Sequence, residues 1–377
     1  MNRRNATLGV ALAGVVAGAV GIGFLASPAG AGQSPTLPSV TPDALVASVL
    51  TATPPAMAGT VEIQNNLGLP SIPGLPIQAA NGSSQIRVWT DGRNHSRIAL
   101  PSMNSEETII EDGTTIYDWD SAKHTVTEHH LGKAGAHDAQ KSTDEKSALD
   151  PATAARSLVS AVKQTSTISV DGTDVVADRP AYDLVLTPKA NQRTLLRQIR
   201  VAIDAQTRIP LQLQVLANNT NSPAVSVGFS KLDIGAQDPS LFTFTPPSNA
   251  TVVNGDQSDH QSTQMATEAA PTFVGSGWET VVVAHLPSSL TAPGASSGDN
   301  SGSNTQGGMF GSGSAQAGRS GSGGAFGLLR EFGKPVSGAW GSGWVISTDV
   351  GNAIVTSDGR VAAGFVPQQL LISALGK

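Results

Sequence analysis

Successive segments between residues 199 and 229 alternate apolar and polar side chains with a period of two, and this pattern most constrains the fold. Neighbouring side chains of a β-strand point to opposite faces, so the pattern predicts antiparallel strands with one apolar and one polar face. Periodicity alone leaves open whether helices pack on the apolar face or whether it lines a ligand cavity. The apolar positions, with two from the preceding strand, are Leu184, Leu186, Ile199, Val201, Ile203, Leu211, Leu213, Val215, Val227 and Phe229.

Asp-Gly pairs between other alternating runs predict further turns, because a type I′ turn needs positive φ at both of its central residues. These pairs are Asp91-Gly92, Asp112-Gly113, Asp171-Gly172 and Asp358-Gly359. The sheet is therefore predicted to begin as a meander that ends near residue 131 and to resume near residue 167.

Two helices are predicted as covers for the apolar face of the sheet. Thr41-Pro42-Asp43 supplies a capping hydroxyl and a proline at the first helical position, so one helix begins there. Asp150-Pro151 opens a second helix, with Leu158 and Val162 on its apolar side, between the two halves of the sheet. This arrangement of elements predicts an α+β fold.

The N-terminus has the three parts of a secretory signal peptide. Arg3 and Arg4 precede an apolar run over residues 8–25, and Ala29-Gly30-Ala31 provides a cleavage site. Residues 1–31 are therefore predicted to be a signal peptide, and the mature protein is expected outside the cytoplasm, in the cell envelope or secreted. It would be membrane-anchored only if the apolar run, which is long enough to span a bilayer, stayed uncleaved.

The C-terminal third is predicted to be a separate unit. Residues 254–271 form a polar linker, and residues 272–377 form a small α+β unit. A Gly- and Ser-rich insertion at about residues 291–325 is almost free of charge and need not fold.

Residue types exclude several classes of function. The chain has no cysteine, which excludes disulfides, thiolate metal sites, a cysteine nucleophile and N-terminal lipidation. The net charge is −6 with no basic run, which argues against nucleic acid as a partner. The Gly-Ser-Gly stretches at 275–277, 311–313 and 341–343 have turn and linker composition, and no phosphate-binding glycine loop occurs, so the sequence predicts no catalytic residue and no cofactor.

A histidine-rich stretch is the sharpest enzyme-like cluster in the sequence. It contains His124, His129, His130, His137 and Asp138. Imidazoles and carboxylates bind metals, but the helical H-E-x-x-H spacing is missing. Exposed polar residues on an edge hairpin are the favoured interpretation, so no metal site is predicted.

An uncharged, proline-rich apolar loop spans residues 67–77. It either tucks over the sheet to complete the core or acts as a flap at the mouth of a cavity. The loop and the second helix together supply the candidate gate residues, which are Leu69, Ile72, Leu75, Leu158 and Val162.

The segment that closes the predicted core reads Asp238-Pro-Ser-Leu-Phe-Thr-Phe-Thr-Pro-Pro247. Phe242 and Phe244 stand at alternate positions, so both can cover the same side of a sheet. Pro246 and Pro247 cannot donate ladder hydrogen bonds, so pairing is predicted to end there and the chain to turn out.

This closing segment resembles the end of the core in the LolA/RseB-like family, the superfamily of outer-membrane lipoprotein carriers and sigma-E regulatory proteins. The resemblance covers about Thr41 to Val253 and lies in the order of elements, with an actinobacterial-type member as the nearest pattern. It implies a curved antiparallel sheet that forms an open half-barrel capped by helices, with an apolar concave face for acyl chains. The segment Val355–Val361 also resembles part of the small second domain of RseB-like regulators, which makes the C-terminal unit an α+β appendage.

The residues and the resemblance together predict an exported, non-enzymatic protein of the cell envelope that binds and carries lipid or lipoprotein acyl chains. The alternating apolar strand residues would line its concave face. The alternative is an RseB-like regulatory sensor that binds an anti-sigma factor, a membrane partner protein, and the C-terminal unit is the feature that favours it. A hydrolase would rest only on unpaired residues.

Overall fold

A computed structural model of the protein describes residues 35–68, 82–101, 105–131, 162–255, 271–286 and 333–376. Five features predicted from the sequence lie wholly or largely outside the described residues. They are the signal peptide, the loop over residues 67–77, the middle helix up to residue 161, the linker and the Gly- and Ser-rich tract. Within the described ranges, no helix is long and apolar enough to cross a membrane.

The first part of the described chain forms a helix and a twelve-stranded sheet. Its elements are α1 (Pro42–Thr51), β1 (Met57–Asn65), β2 (Gly82–Thr90), β3 (His95–Pro101), β4 (Glu106–Asp112), β5 (Thr115–Asp120), β6 (Thr125–His130), β7 (Ser166–Val176), β8 (Arg179–Pro188), β9 (Leu196–Asp204), β10 (Pro210–Ala217), β11 (Val225–Ile234), a 3₁₀ helix (Pro239–Phe242) and β12 (Thr251–Asn254).

The strands of this large sheet follow the order β12-β6-β5-β4-β3-β2-β1-β11-β10-β9-β8-β7. Neighbours are antiparallel except β12, which runs parallel to β6. The edge strands β12 and β7 do not pair with each other, so the sheet is not closed. The predicted fold class, an open half-barrel formed by a large curved antiparallel sheet, is confirmed.

Helix α1 begins where the sequence predicts. The side chain of Thr41 accepts a hydrogen bond from the backbone N–H of Ala44, and Pro42 occupies the first turn, where its missing donor costs nothing. The helix ends at Thr51, shortly before Pro54. The side chain of Leu45 is fully buried, so α1 is held to the sheet chiefly through this residue.

Three of the predicted Asp-Gly pairs lie at turns between neighbouring strands. Gly92, Gly113 and Gly359 all have positive φ, at 77°, 89° and 86°. The carboxylates of Asp91 and Asp112 accept hydrogen bonds from backbone N–H groups that follow them, which closes each turn from within.

The pair Asp171-Gly172 does not form the turn that the sequence predicts. The residues on either side of it stay paired with β8, so the pair is an irregularity inside β7. The turn between β7 and β8 lies at Ala177-Asp178, where both residues have positive φ, at 50° and 60°. The ladder on both flanks therefore outweighed the local turn preference of Asp-Gly.

The closing phenylalanines pack against the large sheet as predicted. The ring centroid of Phe242 lies 5.9 Å from that of His95, and that of Phe244 lies 5.4 Å from that of Tyr117. The prediction that pairing ends at the prolines is wrong, because the chain returns to the sheet as β12, beside β6. The prolines interrupt the ladder only locally, because residues after them have backbone N–H groups that can pair again, as in the bond of 2.8 Å from Thr251 to the carbonyl oxygen of His124.

The second part of the described chain forms a six-stranded sheet with one helix, which is the α+β unit that the sequence predicts. The helix α2 packs on the sheet through Leu371, which shares a fully buried cluster with Ile354 and Val366. The elements are β13 (Thr272–Val274), a 3₁₀ helix (Gly277–Glu279), β14 (Val281–His285), β15 (Lys334–Gly338), β16 (Gly341–Ser347), β17 (Asn352–Thr356), β18 (Arg360–Gly364) and α2 (Gln368–Leu375).

Candidate functional site

One apolar face runs across five neighbouring strands of the large sheet. Leu184 pairs with Val201, Val201 with Leu213, Leu213 with Val227, and Val227 with Ile63. Side chains of directly paired residues project from the same face of a sheet. The alternation seen in the sequence therefore becomes a continuous apolar row that crosses β8, β9, β10, β11 and β1.

The N-terminal segment covers the β8–β9 section of this apolar face. Leu45 of α1 belongs to a buried cluster with Tyr182, Leu184 and Ile203. The hydroxyl of Tyr182 donates a hydrogen bond of 2.9 Å to the carbonyl oxygen of Pro38, which anchors the chain ahead of the helix. Protein side chains thus fill this end of the face.

The second sheet covers the neighbouring section of the same face. Val350 shares a buried cluster with Leu196 and Val215, and the rings of Phe365 and Trp278 pack against that cluster. The second sheet therefore shares a buried core with the large sheet.

Polar contacts fix the second sheet in this position. The carbonyl oxygen of Phe365 accepts hydrogen bonds from the hydroxyl of Thr194 at 2.7 Å and from the backbone N–H of Leu195 at 2.9 Å. The guanidinium of Arg193 binds both carboxylate oxygens of Glu279, at 3.2 and 3.0 Å. These bonds hold the pKa of Glu279 below its usual value.

Leu67, where the predicted flap begins, lies inside this interface. It is 2 % exposed and belongs to the same cluster as Val350. Its carbonyl oxygen accepts a hydrogen bond of 3.4 Å from the backbone N–H of Asp349. The first residue of the loop is therefore part of the buried core between the two sheets.

A third section of the apolar face, on β1 to β4, is half-buried. Val61 pairs with Ile86, Val88 with Ile98, and Ile98 with Ile109. Each of these five side chains has intermediate exposure, and none belongs to a buried cluster formed by the described residues. We call Val61, Ile86, Val88, Ile98 and Ile109 the open strip.

Two buried polar atoms without hydrogen-bond partners lie on the same face as the open strip. Ser84 pairs with Ile63, and its Oγ is buried and unsatisfied. Asp118 pairs with Ile109, and its Oδ1 is also buried and unsatisfied. Such atoms are rare in folded proteins because an unmade hydrogen bond costs about 1–3 kcal/mol. Ser84 lies two residues from Ile86, and Asp118 is paired with Ile109, so both atoms lie beside the open strip.

The structure divides the predicted lining residues among three places. Leu184, Ile203, Leu211 and Val215 are buried, and the others are half-buried. Helix α1 covers Leu184, Leu186, Val201 and Ile203. The second sheet covers Ile199, Leu213, Val215 and Val227. The third group, Leu211 and Phe229, packs with Ala181 and Ala202.

Four of the predicted gate residues, Leu69, Ile72, Leu75 and Leu158, lie outside the described residues. Val162 is described, half-buried, one turn before β7. The gate therefore stays a prediction.

The open strip was not predicted from the sequence, although a signal for it is present there. Ile86 and Val88 alternate with polar residues in β2, just as the predicted lining residues do in β9. The alternation is shorter there, since β3 and β4 each contribute a single residue to the strip, Ile98 and Ile109.

The histidine-rich stretch forms no metal site in the part of the chain that the structure describes. His124 lies in the turn before β6, with φ at 50°, and its ring is 6.2 Å from that of Trp119. His129 and His130 alternate on β6 and point to opposite faces. No group of three or more metal-ligating side chains comes together among the described residues.

Comparison with known proteins gives matches in structure alone. No protein-family model and no curated protein sequence matches the chain. The chain is similar to MucB in the MucA/MucB complex of Pseudomonas aeruginosa, with 15 % identity, a TM-score of 0.40, and coverage of 88 % of this chain and 94 % of that one.

Two smaller solved proteins match about half of the chain. An uncharacterized conserved protein from Thermus thermophilus has 9 % identity and a TM-score of 0.33, covering 56 % of this chain and 96 % of that one. A LolA superfamily protein from Nitrosomonas europaea has 12 % identity and a TM-score of 0.23, covering 55 % and 99 %.

Proposed function

We propose that this chain is an exported, non-enzymatic protein of the cell envelope that binds an acyl chain of a lipid or lipoprotein along the open strip. The observation that carries the proposal is the continuity of the apolar face. Its two other sections are covered by α1 and by the second sheet, whereas the open strip is half-buried and borders two unsatisfied polar atoms.

The driving force for binding follows from the chemistry of the strip. An acyl chain that leaves water gains about 0.8 kcal/mol for each buried methylene group. The strip offers Val and Ile side chains from four adjacent strands, and strands lie about 4.8 Å apart, so it spans roughly 15 Å. Burial of an acyl chain of that length supplies enough free energy for reversible binding.

The test is native mass spectrometry of residues 32–377 purified from an envelope fraction, followed by denaturing extraction of any ligand. We expect a co-purifying lipid. The Val88→Trp variant, which fills the strip, and the Ile98→Thr variant, which shortens a side chain in it, should both carry less of it.

The matched control is Val252→Trp, because Val252 is 50 % exposed on β12 and lies away from the strip. A wild-type protein that is folded and free of lipid, and that takes up no fluorescent fatty acid, would contradict the proposal. Equal lipid content in the two strip variants and the control would contradict the assignment to the strip.

A second candidate function, binding of a membrane partner protein such as an anti-sigma factor, has its own observation. The edge strand β12 exposes Val252 and Val253, at 50 % and 38 %. An unpaired strand edge can accept an extended segment from another chain. The double variant Val252→Lys, Val253→Lys should then lose the partner while keeping its lipid, and retention of the partner would contradict this candidate.

A further inference from the structure

The opposite face of the large sheet carries a cavity of about 290 Å³. It lies over β7 to β10, and its walls include Asp174, Asp183, Arg200, Gln212 and Gln214. These side chains alternate with the apolar row described above, so the cavity and the open strip use different faces. Its volume is close to the lower end of small-molecule sites, which fits a ligand of about one ring.

The side chains in this cavity are held in fixed positions. Nε of Arg200 donates a hydrogen bond of 2.8 Å to Oδ2 of Asp183, and Nη2 of Arg200 bonds to the same oxygen. Nε2 of Gln214 donates to Oε1 of Gln212 at 3.1 Å. Gly228 makes room for Gln212, because a Cβ at Gly228 would lie 2.8 Å from its Cγ.

These bonds leave both donors and acceptors for a ligand. The amide nitrogen of Gln212 and the amide oxygen of Gln214 are not used in the bond between the two side chains. Asp174 uses Oδ1 for the backbone N–H of Val175, so Oδ2 can accept from a ligand at the rim. Alternating donors and acceptors within one small cavity match hydroxyl groups, which both donate and accept hydrogen bonds.

The cavity also contains apolar surface and an excess of negative charge. Leu216, Ala202 and Pro223 line part of it, which suits the C–H face of a sugar ring. Asp174 and Asp183 outnumber the single guanidinium of Arg200. Asp183 is 8 % exposed, and its burial raises its pKa, against the hydrogen bond from Arg200.

We propose that this cavity binds a single sugar ring that carries an amino group. The hydroxyls of the ring would bond to Gln212, Gln214 and Arg200, and the ammonium group would lie beside Asp174 and Asp183. A carboxylate or phosphate on the ring would meet two carboxylates, Asp174 and Asp183, against one guanidinium, so this excess of negative charge excludes acidic sugars.

The test is a titration of the mature chain, residues 32–377, with glucosamine, glucose and glucuronic acid, followed by NMR or calorimetry. Glucosamine should bind more tightly than glucose, and glucuronic acid should not bind. Asp174→Asn should weaken glucosamine binding by about tenfold, since a hydrogen bond to a charged group contributes at least that factor. Gln212→Leu should weaken it by about fivefold, since Gln212 bonds to neutral hydroxyls.

Asp233→Asn is the matched control, because this carboxylate is exposed on β11 and does not line the cavity. Gly228→Ala gives a second readout, since it displaces Gln212 without removing a polar group. No saturable binding of glucosamine would overturn the proposal. Binding of glucuronic acid as tight as that of glucosamine would overturn it too, as would unchanged binding in both cavity variants. These outcomes leave acyl-chain binding on the other face unaffected.

Discussion

The hydroxyl of Thr194 lies 2.7 Å from the carbonyl oxygen of Phe365 and donates a hydrogen bond that joins the two sheets. The same hydroxyl accepts a bond of 3.2 Å from the backbone N–H of Leu196. Thr194 thus links β18 to the start of β9. The second sheet is consequently held in place as a cover of the large sheet.

Thr194→Val should lower the free energy of unfolding by about 1–2 kcal/mol, because it removes a buried hydroxyl that makes two hydrogen bonds. Urea denaturation followed by tryptophan fluorescence measures this change. Thr220→Val is the control, since the hydroxyl of Thr220 bonds only within a surface loop, and we expect a change below about 0.5 kcal/mol. Equal effects of the two substitutions would contradict the role of Thr194 in the interface.

Truncation after residue 271 should make the protein aggregate or unfold. The truncated chain would expose Leu196, Val215 and Ala224, all nearly fully buried under the second sheet. Light scattering and circular dichroism of residues 32–271 test this expectation. A soluble truncated protein with the same melting temperature as the full chain would show that the cover contributes nothing. Point substitutions in the open strip and on β12 are therefore better suited than truncation to distinguish a lipid carrier from a regulator that binds a partner protein.

Asp204→Asn should lower the free energy of unfolding by about 3 kcal/mol, because it breaks a buried ion pair from one side. Asp204 is fully buried, and Arg179 binds its two oxygens at 2.6 and 3.1 Å. Chemical denaturation at neutral pH measures the loss, with Asp233→Asn as the exposed control. A loss no larger than that of the control would contradict this assignment.

The same carboxylate makes stability depend on pH in the acid range. Burial raises the pKa of Asp204, but the bonds from Arg179 and Thr207 outweigh it, and the pKa falls below 3.8. A carboxylate with a lowered folded pKa stabilises the protein above its unfolded pKa and loses that contribution as pH falls through the folded value. The gap in stability between wild type and Asp204→Asn should therefore narrow below about pH 4.

Asp91 provides a second acid-range contribution at the turn between β2 and β3. Its hydrogen bond with His95, at 2.7 Å, lowers its pKa from 3.8 to about 2. Its contribution is complete above pH 3.8 and is lost as pH falls toward 2. Thermal melts of wild type and Asp91→Asn should thus converge across that interval. A difference in melting temperature that stays constant across this pH interval would show that the Asp91–His95 bond is not formed in solution.

The fold was predictable wherever the signal was local. Alternation over residues 199–229 predicted β9, β10 and β11, and Thr41-Pro42 predicted the start of α1. Asp171-Gly172 failed as a turn because pairing with β8 on both flanks is a property of two strands, which the local sequence does not contain.

The candidate site was less predictable than the fold, because its shape depends on which elements cover which section. Val350 packs with Val215 across more than a hundred residues of chain, and no periodic pattern relates them. Hence the strands with the clearest alternation of apolar and polar residues are those covered by α1 and the second sheet. The strands of the open strip have shorter alternating runs. The cavity on the opposite face did have a signal, since Asp183 interrupts an apolar run.

Photo-cross-linking with a diazirine-bearing fatty acid tests acyl-chain binding on the open strip most directly. The mature protein is irradiated with the probe, digested, and the adducts are located by peptide mass spectrometry. We expect adducts on β1 to β4, concentrated around Val88 and Ile98, and their loss when unlabelled fatty acid competes. Adducts that concentrate on β8 and β9, or labelling that competitor does not reduce, would contradict the account.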